Sequence, residues 1–431
     1  MHSLIKLIKK TYTMARPQES KVVIDNAAAL STLQFITYIL PIIVLPYLFR
    51  VIGADKFGLL AFAQAFVQYF MILMDYGFNV SATKEISLCR DNLPKMSKTF
   101  SAVIMTKAVL ICISLLLFCV TVFSVPKFRS DWPVYLFTFA GVVGNTVFPT
   151  WFFQGTEKMK YITNLNIGGG ILFAGLIFIF VRGPRDYLLV PFTGCCVYLL
   201  TGIFGHMIAI KKFRLVFSFQ GYKHIGKHLK SSWDIFISIA AINVYTASRV
   251  FAIGLLTNNN ITGYYSIAER IANACQTFPL ISFSQAIFPR LSHIFHRNKT
   301  KAFQIMGHIQ QITTAMSLIS LPVVFILSPL IVEFVCGNVY REAVLSLRML
   351  LISVFFVHAN AFRVQFLLVS GKTRLYSRIH VIMAILGLPL IILLISSFSY
   401  TGAAAATIAI ESGIFVITYI AVKNLPFHNS P

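Results

Sequence analysis

Apolar residues fill this chain in runs near twenty residues long, separated by short segments where charges and glycines collect. Such runs are transmembrane helix candidates, because a helix rises about 1.5 Å per residue and a bilayer's hydrocarbon core is about 30 Å thick. The pattern predicts spans at 27–49, 57–80, 100–123, 132–153, 163–181 and 187–210. A second set is predicted at 235–257, 263–289, 309–332, 343–369, 380–399 and 402–422. The expected fold is therefore all-α and integral to the membrane, with about twelve helices in two six-helix lobes. The boundaries are an N-terminal lobe at 27–210, a basic linker at 211–232 and a C-terminal lobe at 233–422. Residues 1–26 read as a cytoplasmic amphipathic segment, lacking the apolar stretch and cleavage site of a signal peptide, and 423–431 as a cytoplasmic tail.

Composition makes membrane integration compulsory. Of the 431 residues 57% are apolar and 12% charged, against about a quarter charged in soluble domains. Mean hydropathy is +0.76, which excludes a soluble enzyme. The net charge of +23 suggests nucleic acid until the basic residues are placed. With the N-terminus inside, 25 of the 37 Lys and Arg fall on inside segments, 7 on outside loops and 5 within spans. That is the positive-inside distribution, and it puts both termini in the cytoplasm. Nucleic acid is not an expected partner. Membrane lipids are, because basic loops such as Lys211, Lys212, Arg214, Lys223, Lys227 and Lys230 attract anionic headgroups. The seven cysteines contain no metal-type C-x-x-C pair and read as small packing residues.

The two sets of spans resemble each other. Phe57-Gly58-Leu59-Leu60-Ala61, after the first span, matches Thr262-Gly263-Tyr264-Tyr265-Ser266, after the seventh, at an offset of 205. Gly155, after the fourth, matches Gly371, after the tenth, at an offset of 216. Both sets start on the cytoplasmic side, so the repeat is parallel. Prolines within spans, among them Pro41, Pro46, Pro149, Pro191, Pro279, Pro322 and Pro389, free backbone carbonyls and can kink their helices.

Ionisable residues inside spans carry the functional signal, because each costs a few kcal/mol at the bilayer centre. The cations are Lys107, Arg249, Arg270, Arg348 and Arg363; the anions are Asp75, Glu269 and Glu411. Cations outnumber anions, so pairing within the protein leaves positive charge for an anionic ligand. Arg249 and Arg270 lie about 10–12 Å below the outer ends of their spans. Lys107, Arg363 and Asp75 lie a similar distance from the inner face, so the charges form two tiers. Glu269 can instead pair with Arg249, and Asp75 with Lys107, merely joining helices. Arg348 can snorkel to the outer surface. His358, in mid-span, and Glu411 are the candidates to carry a coupling proton.

The chain has no G-x-x-x-x-G-K-[ST], H-E-x-x-H or G-x-S-x-G motif. No catalytic residues, metal or cofactor are expected, and transport would be secondary rather than ATP-driven.

Several segments resemble the O-antigen and polysaccharide repeat-unit flippases of the multidrug/oligosaccharidyl-lipid/polysaccharide exporter superfamily. They are LPYLFRVIGADKFGLLAFAQA at 45–65, DYGFNVSATKEIS at 75–87 and FPTWFFQGTEKMKYIT at 148–163. ASRVFAIGLL at 247–256, GYYSIAERI at 263–271 and LRMLLISVFF at 347–356 extend the likeness into the second half. The resemblance implies two six-helix lobes around a cationic cavity, in the inner membrane of a bacterium. It implies a cargo of undecaprenyl pyrophosphate carrying one sugar repeat unit, moved to the periplasmic leaflet for a polymerase and a chain-length regulator. It also brings in Arg50 beside Arg249 and Arg270, as cavity arginines on the first, seventh and eighth helices. A proton or a sodium ion would couple the transport.

Two rival readings follow from the same residues. A multidrug exporter of that superfamily handles cations and calls for an acidic cavity, whereas these spans lean basic. An integral-membrane glycan polymerase carries its chemistry in a large outer loop, and every outer loop predicted here is short.

Overall fold

The structure, a computed structural model, describes residues 17–219 and 221–424. Residues 1–16 of the expected amphipathic segment and 425–431 of the tail lie outside that range. Every regular element among the described residues is helical. In chain order these are α1 (Pro17–Asp75), α2 (Phe78–Cys89), α3 (Leu93–Ser124), α4 (Pro126–Arg129), α5 (Trp132–Val147), α6 (Thr150–Gly155) and α7 (Met159–Phe180). After a 3₁₀ turn at Pro184–Leu188 come α8 (Leu189–Phe213), α9 (Tyr222–Leu256), α10 (Asn259–Arg297), α11 (Lys299–Cys336), α12 (Arg341–His358), α13 (Ala361–Val369) and α14 (Thr373–Lys423).

Local chemistry explains where the helices start and stop. Asn92, Asn258 and Asn298 each precede a helix and accept from the backbone N–H three residues on, at 3.1, 2.9 and 2.8 Å. Each thereby satisfies one of the four N–H groups a helix start leaves over. Gly337 ends α11 at φ 79°, a conformation glycine reaches without steric cost.

Nine helical stretches among the described residues are long and apolar enough to cross a membrane, so the protein is multi-pass. Two of them, Leu40–Cys89 and Thr373–Lys423, run to 50 and 51 residues. At about 1.5 Å per residue each exceeds twice the hydrocarbon thickness. Each also breaks. Gly53 leaves the helical region at φ 77°, ψ 168°, inside the join predicted between the first two spans. Ser399 does so at φ 55°, ψ −132°, at the end of the eleventh.

The fourth and tenth spans are each split into a long and a short helix. In the fourth, α5 gives way to α6 at Phe148-Pro149, as a residue without an N–H requires. In the tenth, α12 gives way to α13 at Ala359-Asn360, with neither proline nor glycine.

The chain forms two compact units. Among the described residues, one holds 17–44, Phe70–Phe180 and Leu188–Phe236; the other holds Leu45–Tyr69, Val181–Tyr187 and 237–424. The core of the first is aromatic: Tyr76, Phe78, Phe100, Trp151, Phe152 and Phe153 are all buried in one cluster. The DYGF and WFFQG segments supply five of these six, so those motifs are the packing of this unit. In the second unit Phe62 stacks on Phe251 at 5.4 Å between ring centroids, and Tyr69 bonds Ser248 at 2.8 Å.

Candidate functional site

Three of the charges singled out in the sequence meet in the second unit. Arg249 on α9, Glu269 on α10 and Glu411 on the second arm of α14 line one cavity of about 470 Å³, a volume typical of ligand pockets. Arg249 Nη2 lies 3.2 Å from Glu269 Oε1, with the two side chains only 11% and 15% exposed. Glu269 Oε1 lacks hydrogen-bond geometry despite that distance, so the contact is an ion pair. Arg249 is held further by N–H groups donated to the Thr246 carbonyl at 3.3 Å and to Thr407 Oγ1 at 3.4 Å. The wall also carries the amides of Asn273, Gln276, Asn360 and Gln365. A fixed guanidinium and several amides can bind an oxyanion and hydroxyl groups together.

The remaining cations are elsewhere. Arg270 follows Glu269 on α10 and therefore points about 100° around the helix. It donates to Gln64 Oε1 at 2.6 Å, its guanidinium 5.6 Å from the centre of the Phe57 ring. Arg50 donates to the Phe334 carbonyl. Arg348 donates to Ser328 Oγ at 2.9 Å and to the Phe325 carbonyl at 3.4 Å. Arg363 donates to the Ala359 carbonyl and lines a separate groove. Among the described residues, no carboxylate lies within ion-pair distance of these four arginines.

Lys107 belongs to the first unit and is 6% exposed. Its ammonium lies 3.3 Å from Asp75 Oδ1 and 3.1 Å from the Thr146 carbonyl. Asp75 also accepts from the Asn79 amide, at 3.0 and 2.9 Å to its two oxygens. The Thr146 carbonyl needs a donor because the Thr150 N–H, its helical partner, turns to Phe148 at the Pro149 break. The Lys107 ammonium supplies one. This pairing matches the alternative weighed from the sequence, a charge that joins helices.

His358 is 2% exposed and has partners at both ring nitrogens. Nδ1 is 2.6 Å from Ser317 Oγ, and Nε2 is 2.9 Å from the Gln276 carbonyl. Ser317 Oγ also lies 2.9 Å from the Thr313 carbonyl, so its single proton serves either the ring or that carbonyl. Beside it, Gln310 bridges the break in the tenth span. Its amide donates to the His358 carbonyl at 2.8 Å, and its oxygen accepts the Phe362 N–H at 3.0 Å. The sequence reading passed over Gln310; the available signal was the polar cluster Gln310-Gln311 with Thr313 and Thr314 at the start of the predicted ninth span. Gln64 and Thr407, which orient Arg270 and Arg249, were also passed over. Among the described residues, no group of three His, Cys, Asp or Glu could hold a metal ion.

Comparison with known proteins gives this geometry its context. Residues 23–295 match the polysaccharide biosynthesis protein family. Over 404 residues the chain is 30% identical to an Escherichia coli K12 protein provisionally named an O-antigen transporter, covering 93% of this chain and 96% of that one. Among solved structures it resembles the lipid II flippase MurJ in an inward closed conformation, with a TM-score of 0.72 and 15% identity over 92% of this chain and 87% of that one. It also resembles an inward-facing multidrug resistance MATE transporter, with a TM-score of 0.65 and 13% identity over 91% and 96%. At those identities the two structural likenesses establish a shared fold.

Proposed function

This chain belongs to the polysaccharide biosynthesis protein family, and from that premise we propose that it is a flippase for lipid-linked oligosaccharide. In this reading it moves undecaprenyl-pyrophosphate-linked repeat units of O-antigen or a similar surface polysaccharide from the cytoplasmic to the periplasmic leaflet. It does so without covalent chemistry, across a bacterial inner membrane that it crosses twelve times with both termini inside. A polymerase and a chain-length regulator take the product.

The observation that carries the proposal is Arg249, a guanidinium fixed on the wall of a cavity whose apolar lining also carries amides, hydroxyls, His380 and two carboxylates. A diphosphate with sugars cannot cross hydrocarbon bare, whereas fixed donors replace its water with charge-assisted bonds. Arg270 and Arg50, which have neutral partners, add cationic steps to the route. Glu269 holds Arg249 and neutralises part of its charge, so an entering anion competes with that carboxylate and is not trapped. Glu411, on the same wall, is the group through which a proton or sodium ion acts. A membrane potential positive outside favours anion export by about 2.3 kcal/mol per charge per 100 mV.

The fold is shared with multidrug exporters and does not separate the two cargoes. The excess of cations over acids within the spans favours an anion. The deciding experiment is deletion of the gene followed by extraction of polyprenyl lipids. Accumulated undecaprenyl-pyrophosphate oligosaccharide, cleared by plasmid-borne wild type, is the expected result. Normal surface polysaccharide with no accumulated intermediate would refute the flippase reading.

A further inference from the structure

The groove beside Arg363 is distinct from the cavity at Arg249, and the flippase reading makes no use of it. It encloses about 560 Å³ between α11, α13 and the last turns of α14. Helix α11 lines it with one stripe at three- and four-residue spacing from Phe303 to Leu318, about 22 Å of helix. In the middle of that stripe stands Gly307, where a Cβ would meet no atom within 4 Å. The missing side chain is what leaves the groove open.

The lining combines cationic, neutral polar and aliphatic groups. Lys423, the last residue of α14, and Arg363 supply its cations, and Ala315 and Leu318 close the α11 stripe with aliphatic side chains. No carboxylate is present in the lining. The Arg363 guanidinium is held 5.3 and 5.2 Å from the Phe415 and Tyr419 ring centres. One N–H goes to the Ala359 carbonyl, out of five donors in a planar fork. Gln311 and Thr314, ahead of Ala315 and Leu318 on the α11 stripe, add neutral hydrogen-bonding groups. Two cations, neutral hydrogen-bonding groups and an aliphatic stretch in one groove are the chemistries that a glycerophospholipid presents.

We propose that this groove is a binding site for an anionic phospholipid of the leaflet that faces the basic loops. Arg363 and Lys423 hold the phosphate, Gln311 and Thr314 meet the glycerol region, and an acyl chain lies along Ala315 and Leu318. A polyprenyl diphosphate presents the same phosphate chemistry, so the test must separate the two lipids.

The full chain, purified in detergent, is examined by native mass spectrometry with added phosphatidylglycerol, phosphatidylcholine or polyprenyl diphosphate. The expected result is a retained phosphatidylglycerol adduct. Arg363→Gln weakens it about tenfold, as loss of one charge-assisted hydrogen bond predicts. Gly307→Trp, which fills the groove, abolishes it. Lys423→Gln, at an exposed helix end, weakens it without burdening the fold, and so keeps the test decisive if Arg363→Gln does not fold. Adducts unchanged in all three variants would overturn the site. Equal retention of phosphatidylcholine would overturn the anion selectivity. Polyprenyl diphosphate displacing phosphatidylglycerol through the same residues would assign the groove to the cargo.

Discussion

Gly58 and Gly263 press backbone against backbone. A Cβ on Gly58 would stand 2.8 Å from the Gly263 nitrogen and 1.8 Å from the Asn259 carbonyl oxygen. One on Gly263 would stand 2.4 Å from the Ala54 carbonyl oxygen. These are the two positions that the internal repeat superposes at an offset of 205. The likeness between the half-chains thus reflects two equivalent glycines meeting each other. Close approach of this kind is how membrane helices associate when hydrocarbon supplies no hydrophobic drive.

Valine at either glycine is expected to destabilise the protein by more than the roughly 1–3 kcal/mol of ordinary overpacking, because the obstructing atoms are backbone. Gly168→Ala, where a Cβ meets nothing within 4 Å, should be neutral or raise the melting temperature. Thermal unfolding in detergent checks both; equal melting of all three variants would show that the contact is not tight.

The Arg249–Glu269 pair yields a test that separates folding from transport. Arg249→Leu alone strands a buried carboxylate, at a cost of about 3–5 kcal/mol, and should lower both protein level and surface polysaccharide. Adding Glu269→Leu should restore the level to near wild type and leave the polysaccharide absent. Recovery of both in the double variant would remove Arg249 from the transport route.

Lys107 and Asp75 should behave in the opposite way. Lys107→Met leaves Asp75 and the Thr146 carbonyl without a cation and should destabilise by about 3 kcal/mol. Lys107→Met with Asp75→Asn should recover stability and surface polysaccharide together. Immunoblots and polysaccharide gels on the same strains provide the check, and a stable double variant that exports nothing would make Lys107 part of the route.

Replacing Gln310 by leucine strips the broken tenth span of the partners for the His358 carbonyl and the Phe362 N–H. Each orphaned group costs about 1–3 kcal/mol, and amide exchange at 359–362 should rise well before the core of α12 opens. Uniform protection across the span would contradict that role for the glutamine.

His358 has a partner at both ring nitrogens, so it is expected not to set the pH profile of transport. His358→Asn is expected to lower stability while uptake into proteoliposomes keeps its wild-type dependence on pH. A profile shifted in that variant would identify the ring as a proton carrier.

Much of the architecture was legible because hydrocarbon imposes one rule everywhere: every backbone polar group must be satisfied inside its own segment. Length and hydropathy therefore announced the helices. The break at Gly53 falls in the join predicted between the first two spans, and the break at Ser399 falls on the last residue of the predicted eleventh span. Pro149 announced the break in the fourth span. The matching break at Ala359-Asn360 carried no proline and escaped notice. What stabilises it is an amide from α11, about fifty residues away in sequence.

Chain composition and the rhythm of apolar runs by themselves settled that this is an all-helical, multi-pass protein whose buried cations exceed its buried acids. Those properties depend on local length and on the cost of burying charge, and both are summed along the chain. Which partners each cation meets, and which cation stands on a cavity wall, was decided by tertiary structure alone. Lys107 and Arg249 look alike in sequence, each a basic residue in a span with an acid on another. One is tied to Asp75 and the carbonyl beside a helix break, and the other stands on a cavity wall with its carboxylate beside it. The difference lies in a few ångströms between helices distant in sequence, and periodicity along one chain holds no record of such distances.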